Sequence, residues 1–264
     1  MDRIGALQQM KRERRKIVAV VVYDYQMAQI VDRAGVDVIS VGDSVGANIW
    51  GQSSELDVTL DQMLLVCKAV RRGVTQALVS CDMPYGPLQA GPDAARQAAL
   101  RLVAEGGADL LKLDAAVQCL DSTRAIVAAG IPVWGQLGIT PHTAASHAGT
   151  SKTLPELAAG LKDQFVHDAR LLEGAGASML DFTNSGPVAG PAVAAAVAIP
   201  VLGGLGGGPW LDGRVRAIGN AIGYSAAALD DSVERYANVA RLTLAAIADY
   251  AADVRAGRHI KGGT

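Results

Sequence analysis

Short apolar runs, each closed by a polar or charged group, recur along this chain and alternate with stretches of helical periodicity. Runs at residues 17–23, 38–44, 77–82, 110–114, 131–136, 177–182 and 199–202 are rich in Val, Ile, Leu and Ala and show no two-residue alternation. That pattern predicts parallel strands covered on both faces. Between them, apolar residues fall three or four apart. Thr59 is placed to cap a helix carrying Met63, Leu64, Cys67 and Val70 on one face, and Arg71-Arg72-Gly73 ends it. Further helices are expected over 27–34, 92–105, 120–129, 157–175 and 191–197, with a charged leading helix over 1–16 and a C-terminal helix over 231–256. Residues 47–57 read as irregular, Pro84 and Pro87 as loop breakers, and a weaker strand is expected near 217–221. Residues 138–155, rich in Gly, Ser, Thr and His, form the longest stretch without periodicity.

Strand and helix alternating about eight times predict an α/β fold, a single (β/α)8 TIM barrel. Neither a fixed-period repeat nor a linker-like shift in composition marks a second domain, so residues 1–264 read as one barrel. The length of 264 residues, half of them hydrophobic, suits that core.

Charge and cysteine content narrow the class. The formal net charge is −2, and the one basic run, Lys11-Arg12-Glu13-Arg14-Arg15-Lys16, is interrupted by Glu13 and reads as a solvated helix face rather than a nucleic-acid surface. Three cysteines, Cys67, Cys81 and Cys119, lack metal-ligand spacing and point to a reducing compartment. With no signal-like start and no apolar run of membrane-spanning length, a cytoplasmic protein without membrane or nucleic-acid partners is expected.

In a parallel barrel the C-terminal ends of the strands share one mouth, so polar groups there can meet. Asp43 and Asp82 end two such runs, and paired carboxylates suit an oxygen-seeking divalent cation such as Mg²⁺. Each alone reads equally as a cap or turn former. Lys112 and Asp114 lie two apart on one strand face, either as a structural pair or as a site for an anion. Ser44, Gln136 and Asp181 close further strands. The glycine-rich residues 203–208 lack the P-loop lysine and the dinucleotide spacing, which favours a tight turn. His142 and His147 lack helical metal-ligand spacing, and Trp50, Trp134 and Cys119 read as packing residues.

Tyr23-Asp24-Tyr25, Val41-Gly42-Asp43-Ser44, Val58-Thr59, Ala69-Val70-Arg71-Arg72-Gly73, Asp82-Met83-Pro84, Gly107-Ala108-Asp109 with Lys112, Leu137-Gly138-Ile139-Thr140-Pro141, Gly174-Ala175-Gly176-Ala177 and Asp212-Gly213 follow one another in an order and spacing that resemble the ketopantoate hydroxymethyltransferase family over roughly residues 10–225. The resemblance implies Mg²⁺ or another divalent cation on Asp43 and Asp82, with Asp114 beside them. It also implies that Ser44, Lys112 and Gln136 bind a small 2-oxo acid. Asp181 would be the general base and 5,10-methylenetetrahydrofolate the one-carbon co-substrate, in an aldol addition by a homo-oligomeric enzyme.

The chain departs from the family pattern at three of these positions. Asp114 and Asp181 stand where the family has Glu, and Gln136 stands where it has His. Each Glu-to-Asp change withdraws the carboxylate by about 1.5 Å, and Gln136 cannot titrate. Two alternatives therefore stand beside the aldol reading. One is retro-aldol or lyase chemistry of the wider phosphoenolpyruvate mutase and isocitrate lyase superfamily. The other is a non-catalytic 2-oxo acid binder.

Overall fold

Strand formation follows the valine- and leucine-rich runs. The structure, a computed structural model describing residues 3–140 and 152–262, has eight parallel strands closed in sequence order into a TIM barrel. They are β1 (Ile17–Val21), β2 (Val38–Val41), β3 (Leu78–Asp82), β4 (Leu110–Leu113), β5 (Val133–Gly138), β6 (Met179–Thr183), β7 (Val201–Gly203) and β8 (Gly213–Ala217). A leading helix, α1 (Arg3–Arg12), precedes β1, and α2 (Tyr25–Arg33) connects β1 to β2. Helices α3 (Val45–Trp50) and α4 (Leu60–Gly73) lead to β3, and α5 (Tyr85–Gln89) and α6 (Pro92–Ala104) to β4. The remaining connections carry α7 (Leu120–Ala128), then α8 (Leu154–Gly160) and α9 (Lys162–Gly174), then α10 (Gly186–Ala196).

The barrel interior runs from apolar to polar. At the N-terminal ends of the strands, Val38, Leu78, Leu110, Trp134, Met179 and Leu202 form a floor against which α1 packs Ile4, Leu7 and Met10. Fully burying such a side chain is worth about 1.5–3 kcal/mol, so three anchors seat an otherwise polar helix. Lys11 fixes its end, pairing with Asp212 at 2.9 Å and donating to the carbonyls of Ala194 and Ile199. The ring closes beside it, where Ile17 N donates to Asp212 O at 3.0 Å. A Cβ on Gly213 would lie 2.2 Å from Ile17 O, so only glycine permits that approach.

Asp32 ties α2 to the entry of β3. Its buried carboxylate accepts from the backbone N–H groups of Thr75, Gln76 and Ala77 and from the Thr75 hydroxyl. Burial pushes its pKa up, but these donors outweigh burial and hold it down at about 2.

Several element boundaries differ from the expectation. Residues 45–50 form α3 rather than irregular chain, ended by Gly51 in the left-handed conformation. Pro84 and Pro87 do not keep their segment open; α5 forms there with Pro84 at its N-cap, where a missing N–H costs nothing. The expected helix over 157–175 is two, α8 and α9, meeting at Leu161. Helix α10 starts at Gly186 and runs through Pro191, carried by its alanine-rich end. Strand β8 lies at Gly213–Ala217, where Gly213 and Val215 are buried and Arg214 and Arg216 exposed; residues 218–222 are helical. This strand alternates instead of running apolar.

The described residues up to Arg216 form one compact unit and those from Ala217 onward a second. The second holds α11 (Ile218–Ile222), a 3-10 turn (Ala226–Leu229) and α12 (Val239–Arg255). Helix α12 starts later than residue 231 because Asn238 caps it: its oxygen accepts from Arg241 N, and its amide donates to Ala228 O at 2.7 Å. Among the described residues no helix is long and apolar enough to cross a membrane.

Candidate active site

Strand register brings the polar strand ends together at the mouth opposite α1. Asp82 on β3 pairs with Lys112 on β4, and Gln136 on β5 pairs with Asp181 on β6. Lys112 is the hub. Its Nζ donates to Gln136 Oε1 at 2.7 Å and to Asp82 Oδ2 at 3.4 Å, and lies 3.8 Å from Asp181 Oδ2. The Gln136 amide is oriented from both sides, because its Nε2 donates to Thr183 Oγ1 at 2.9 Å. Burial pulls the Lys112 pKa down, but Asp82, Asp181, Asp43 and Asp114 outweigh it, so the ammonium stays charged.

Asp181 is a fully buried carboxyl whose pKa is displaced toward neutrality. Burial raises it, Lys112 and the Gly204 N–H pull it back, and the balance stands at about 6. Gly204 N donates to Asp181 Oδ1 at 3.2 Å, which gives the glycine-rich turn after β7 a local purpose. That turn is tight: a Cβ on Gly203 would lie 3.2 Å from Gly207.

Asp43 and Asp82 sit at the other side of the hub. Burial and then Asp82 raise the Asp43 carboxyl well above the ordinary carboxylate range. Burial likewise raises Asp82, against the pull of Lys112, and Asp82 Oδ1 is buried with no hydrogen-bond partner. Two carboxylates both pushed up, one with an orphaned oxygen, are relieved by a hard divalent cation, so the residues fit one. Among the described residues no group of three His, Cys, Asp or Glu forms a ready-made metal cluster. Asp114 Oδ1 accepts the Ala115 N–H at 2.7 Å. A cation held by Asp43 and Asp82 would need further oxygen ligands beyond these two carboxylates.

Ser44 follows Asp43 and precedes α3 without capping it. Its Oγ lies 2.9 Å from Tyr23 Oη, and Asn48 Nδ2 donates to Tyr23 Oη at 3.1 Å and to Ser44 O at 2.9 Å.

Of the remaining candidates, Trp134 lies in the barrel floor and Trp50 is part-exposed on α3. Cys119 accepts from Gln89 Nε2 at 3.3 Å. His142 and His147 lie outside the described residues. Thr183 and the Gly204 N–H were not anticipated from sequence. Thr183 was legible by period, since it lies two residues beyond Asp181 and shares its face.

A sequence profile described as ketopantoate hydroxymethyltransferase matches residues 2–260. The chain is 35% identical over 254 residues to a 3-methyl-2-oxobutanoate hydroxymethyltransferase of Dehalococcoides mccartyi, covering 96% of this chain and 90% of that one. It is 38% identical to the enzyme of that name from Moorella thermoacetica, covering 96% and 93%. Among solved structures, a putative phosphonomutase from Burkholderia cenocepacia superposes with a TM-score of 0.64 at 19% identity, covering 96% of this chain and 98% of that one. A 2,3-dimethylmalate lyase of the PEP mutase/isocitrate lyase superfamily gives 0.61 at 15%, covering 97% and 88%. At such identities the likeness concerns the fold alone.

Proposed function

The chain belongs to the ketopantoate hydroxymethyltransferase family, and from that membership we propose that it enolises 3-methyl-2-oxobutanoate and adds to it the one-carbon unit of 5,10-methylenetetrahydrofolate. The observation that carries this reading is the Asp82–Lys112–Asp181 row, a fixed cation flanked by one carboxylate suited to metal and one poised as a base.

A divalent cation on Asp43 and Asp82 supplies, when bound, Lewis-acid polarisation of the 2-oxo acid. The chain's own residues do the rest. Ser44 and the Lys112 ammonium bind the carboxylate and ketone oxygens, which fixes the substrate's C3 toward β6. Asp181 takes the C3 proton onto a carboxylate oxygen, and the C–H electron pair moves into the enolate. A base near 6 is ionised at neutral pH yet more basic than a surface aspartate. Lys112, held cationic, stabilises the negative charge that develops on the ketone oxygen. Water releases the one-carbon unit of the folate as formaldehyde, both C–N bonds breaking and the two nitrogens taking up the protons of the water. The enolate carbon then attacks the formaldehyde carbon, whose C=O electron pair moves onto oxygen and takes the proton back from Asp181, giving the hydroxymethyl group.

The test is solvent deuterium uptake at C3, followed by proton NMR, for a panel of 2-oxo acids with Mg²⁺ and with chelator. Metal-dependent exchange in the wild type that is lost in Asp181→Asn is expected. Product analysis with the folate distinguishes addition from C–C cleavage. No exchange with any 2-oxo acid overturns the reading in favour of a binding protein.

A further inference from the structure

Ser44 carries a hydroxyl that the helix it precedes does not use. It occupies the N-cap position of α3, yet its side chain makes no capping hydrogen bond. Its oxygen instead packs over Gly42, where a Cβ would stand 2.8 Å from both Ser44 Oγ and Val21 Cγ1 and 3.8 Å from Asp82 Oδ2. Hydroxyl and carboxylate thus approach the same glycine, which Ser44 and Val21 pack too closely for any side chain.

What decides the chemistry of that hydroxyl is the direction of the hydrogen bonds behind it. Asn48 Nδ2 lies 2.9 Å from Ser44 O, a group that can only accept, so the amide nitrogen and not its oxygen faces this corner. Its second hydrogen goes to Tyr23 Oη at 3.1 Å. The phenol oxygen is occupied as an acceptor, its proton stays in place because burial raises the Tyr23 pKa, and Ser44 Oγ lies 2.9 Å away. We propose that Tyr23 and Asn48 are positioning residues that run donor to acceptor from Asn48 through Tyr23 to Ser44 Oγ, leaving the Ser44 proton to be given to an acceptor oxygen of the substrate. The proposal rests on the reading of this mouth as a 2-oxo acid site. It makes Ser44 a one-way donor, selective for a carboxylate or enolate oxygen over a hydroxyl that must itself donate.

The experiment is a double-mutant cycle read by calorimetric binding of 3-methyl-2-oxobutanoate with Mg²⁺, alongside the kcat and KM of each variant. Tyr23→Phe keeps the ring and removes only the hydroxyl. We expect it to weaken binding roughly three- to tenfold, the worth of about one hydrogen bond, and to raise KM more than it lowers kcat. In the Ser44→Ala background the same change is expected to cost less than twofold, because the group it acts through is gone. Equal losses in both backgrounds give Tyr23 a merely structural role and overturn the proposal, as does unchanged binding in Tyr23→Phe. Should that variant fail to fold, Asn48→Ala in the same cycle is judged by the same outcomes. Wild-type protein that binds no 2-oxo acid removes the functional reading and this proposal together, whereas wild-type binding with an additive cycle removes the proposal alone.

Discussion

Lys112 and Gln136 meet at 2.7 Å with the amide carbonyl toward the ammonium, an orientation imposed by the hydrogen bond from Gln136 Nε2 to Thr183. A neutral side chain thus does by orientation what a titrating one does by charge: it holds the cation between Asp82 and Asp181.

Thr183→Val keeps the shape and removes the acceptor of the Gln136 amide. One buried hydrogen bond is worth about 1 kcal/mol, so kcat/KM is expected to fall roughly fivefold, with recovery in Thr183→Ser. Steady-state kinetics of the two variants check it. A Ser variant no better than Val counts against the orientation argument.

The pH dependence follows from Asp181. Its folded pKa of about 6 lies above the ordinary value near 3.9, so the base is protonated and activity lost as pH falls through 6. The same shift means that ionising Asp181 costs stability, a cost absent below pH ~4 and fully present above about 6. Asp181→Asn should therefore abolish C3 exchange while raising the melting temperature at pH 7.5 by a few degrees. Calorimetry of both proteins at pH 4.5 and 7.5 measures it, and a variant destabilised at pH 7.5 contradicts this account.

A divalent cation should stabilise the wild type because it relieves Asp43 and Asp82 together. At a hundredfold excess over its dissociation constant the gain is about 2.7 kcal/mol. Asp82→Asn removes the repulsion between the two carboxylates, so its metal-free melting temperature should rise and its Mg²⁺ response disappear. Thermal scans with Mg²⁺ and with EDTA decide it.

Asp32 tests the frame rather than the site. With a folded pKa of about 2, below the unfolded value, it contributes stability above pH ~4 that is lost as pH falls toward 2, on the order of 2 kcal/mol. Asp32→Asn should remove that amount at pH 7, with much less effect at pH 2.5, in urea titrations at the two pH values.

Much of the mouth was legible in the sequence because a parallel barrel leaves little freedom. Buried strands are apolar, so the polar group that ends one has to face the mouth, and Asp82, Lys112, Gln136 and Asp181 were visible on that ground. Thr183 was lost by ending β6 one residue early, at Phe182. The Gly204 N–H has no side-chain signal at all. Tyr23 and Asn48 meet across two connections that periodicity does not align. β8 escaped notice because its arginines alternate with buried residues, where the other strands open on apolar runs.

The seat of α1 has a consequence for how the protein is made. Its helix is synthesised ahead of the barrel, but the floor it covers includes β7 and β8, and Asp212, the partner of Lys11, follows some two hundred residues later. At about 5–20 residues per second that is a wait of roughly 10–40 s. Throughout it Ile4, Leu7 and Met10 lack the complete floor that buries them, which leaves the nascent helix a client for chaperones until the last strand arrives.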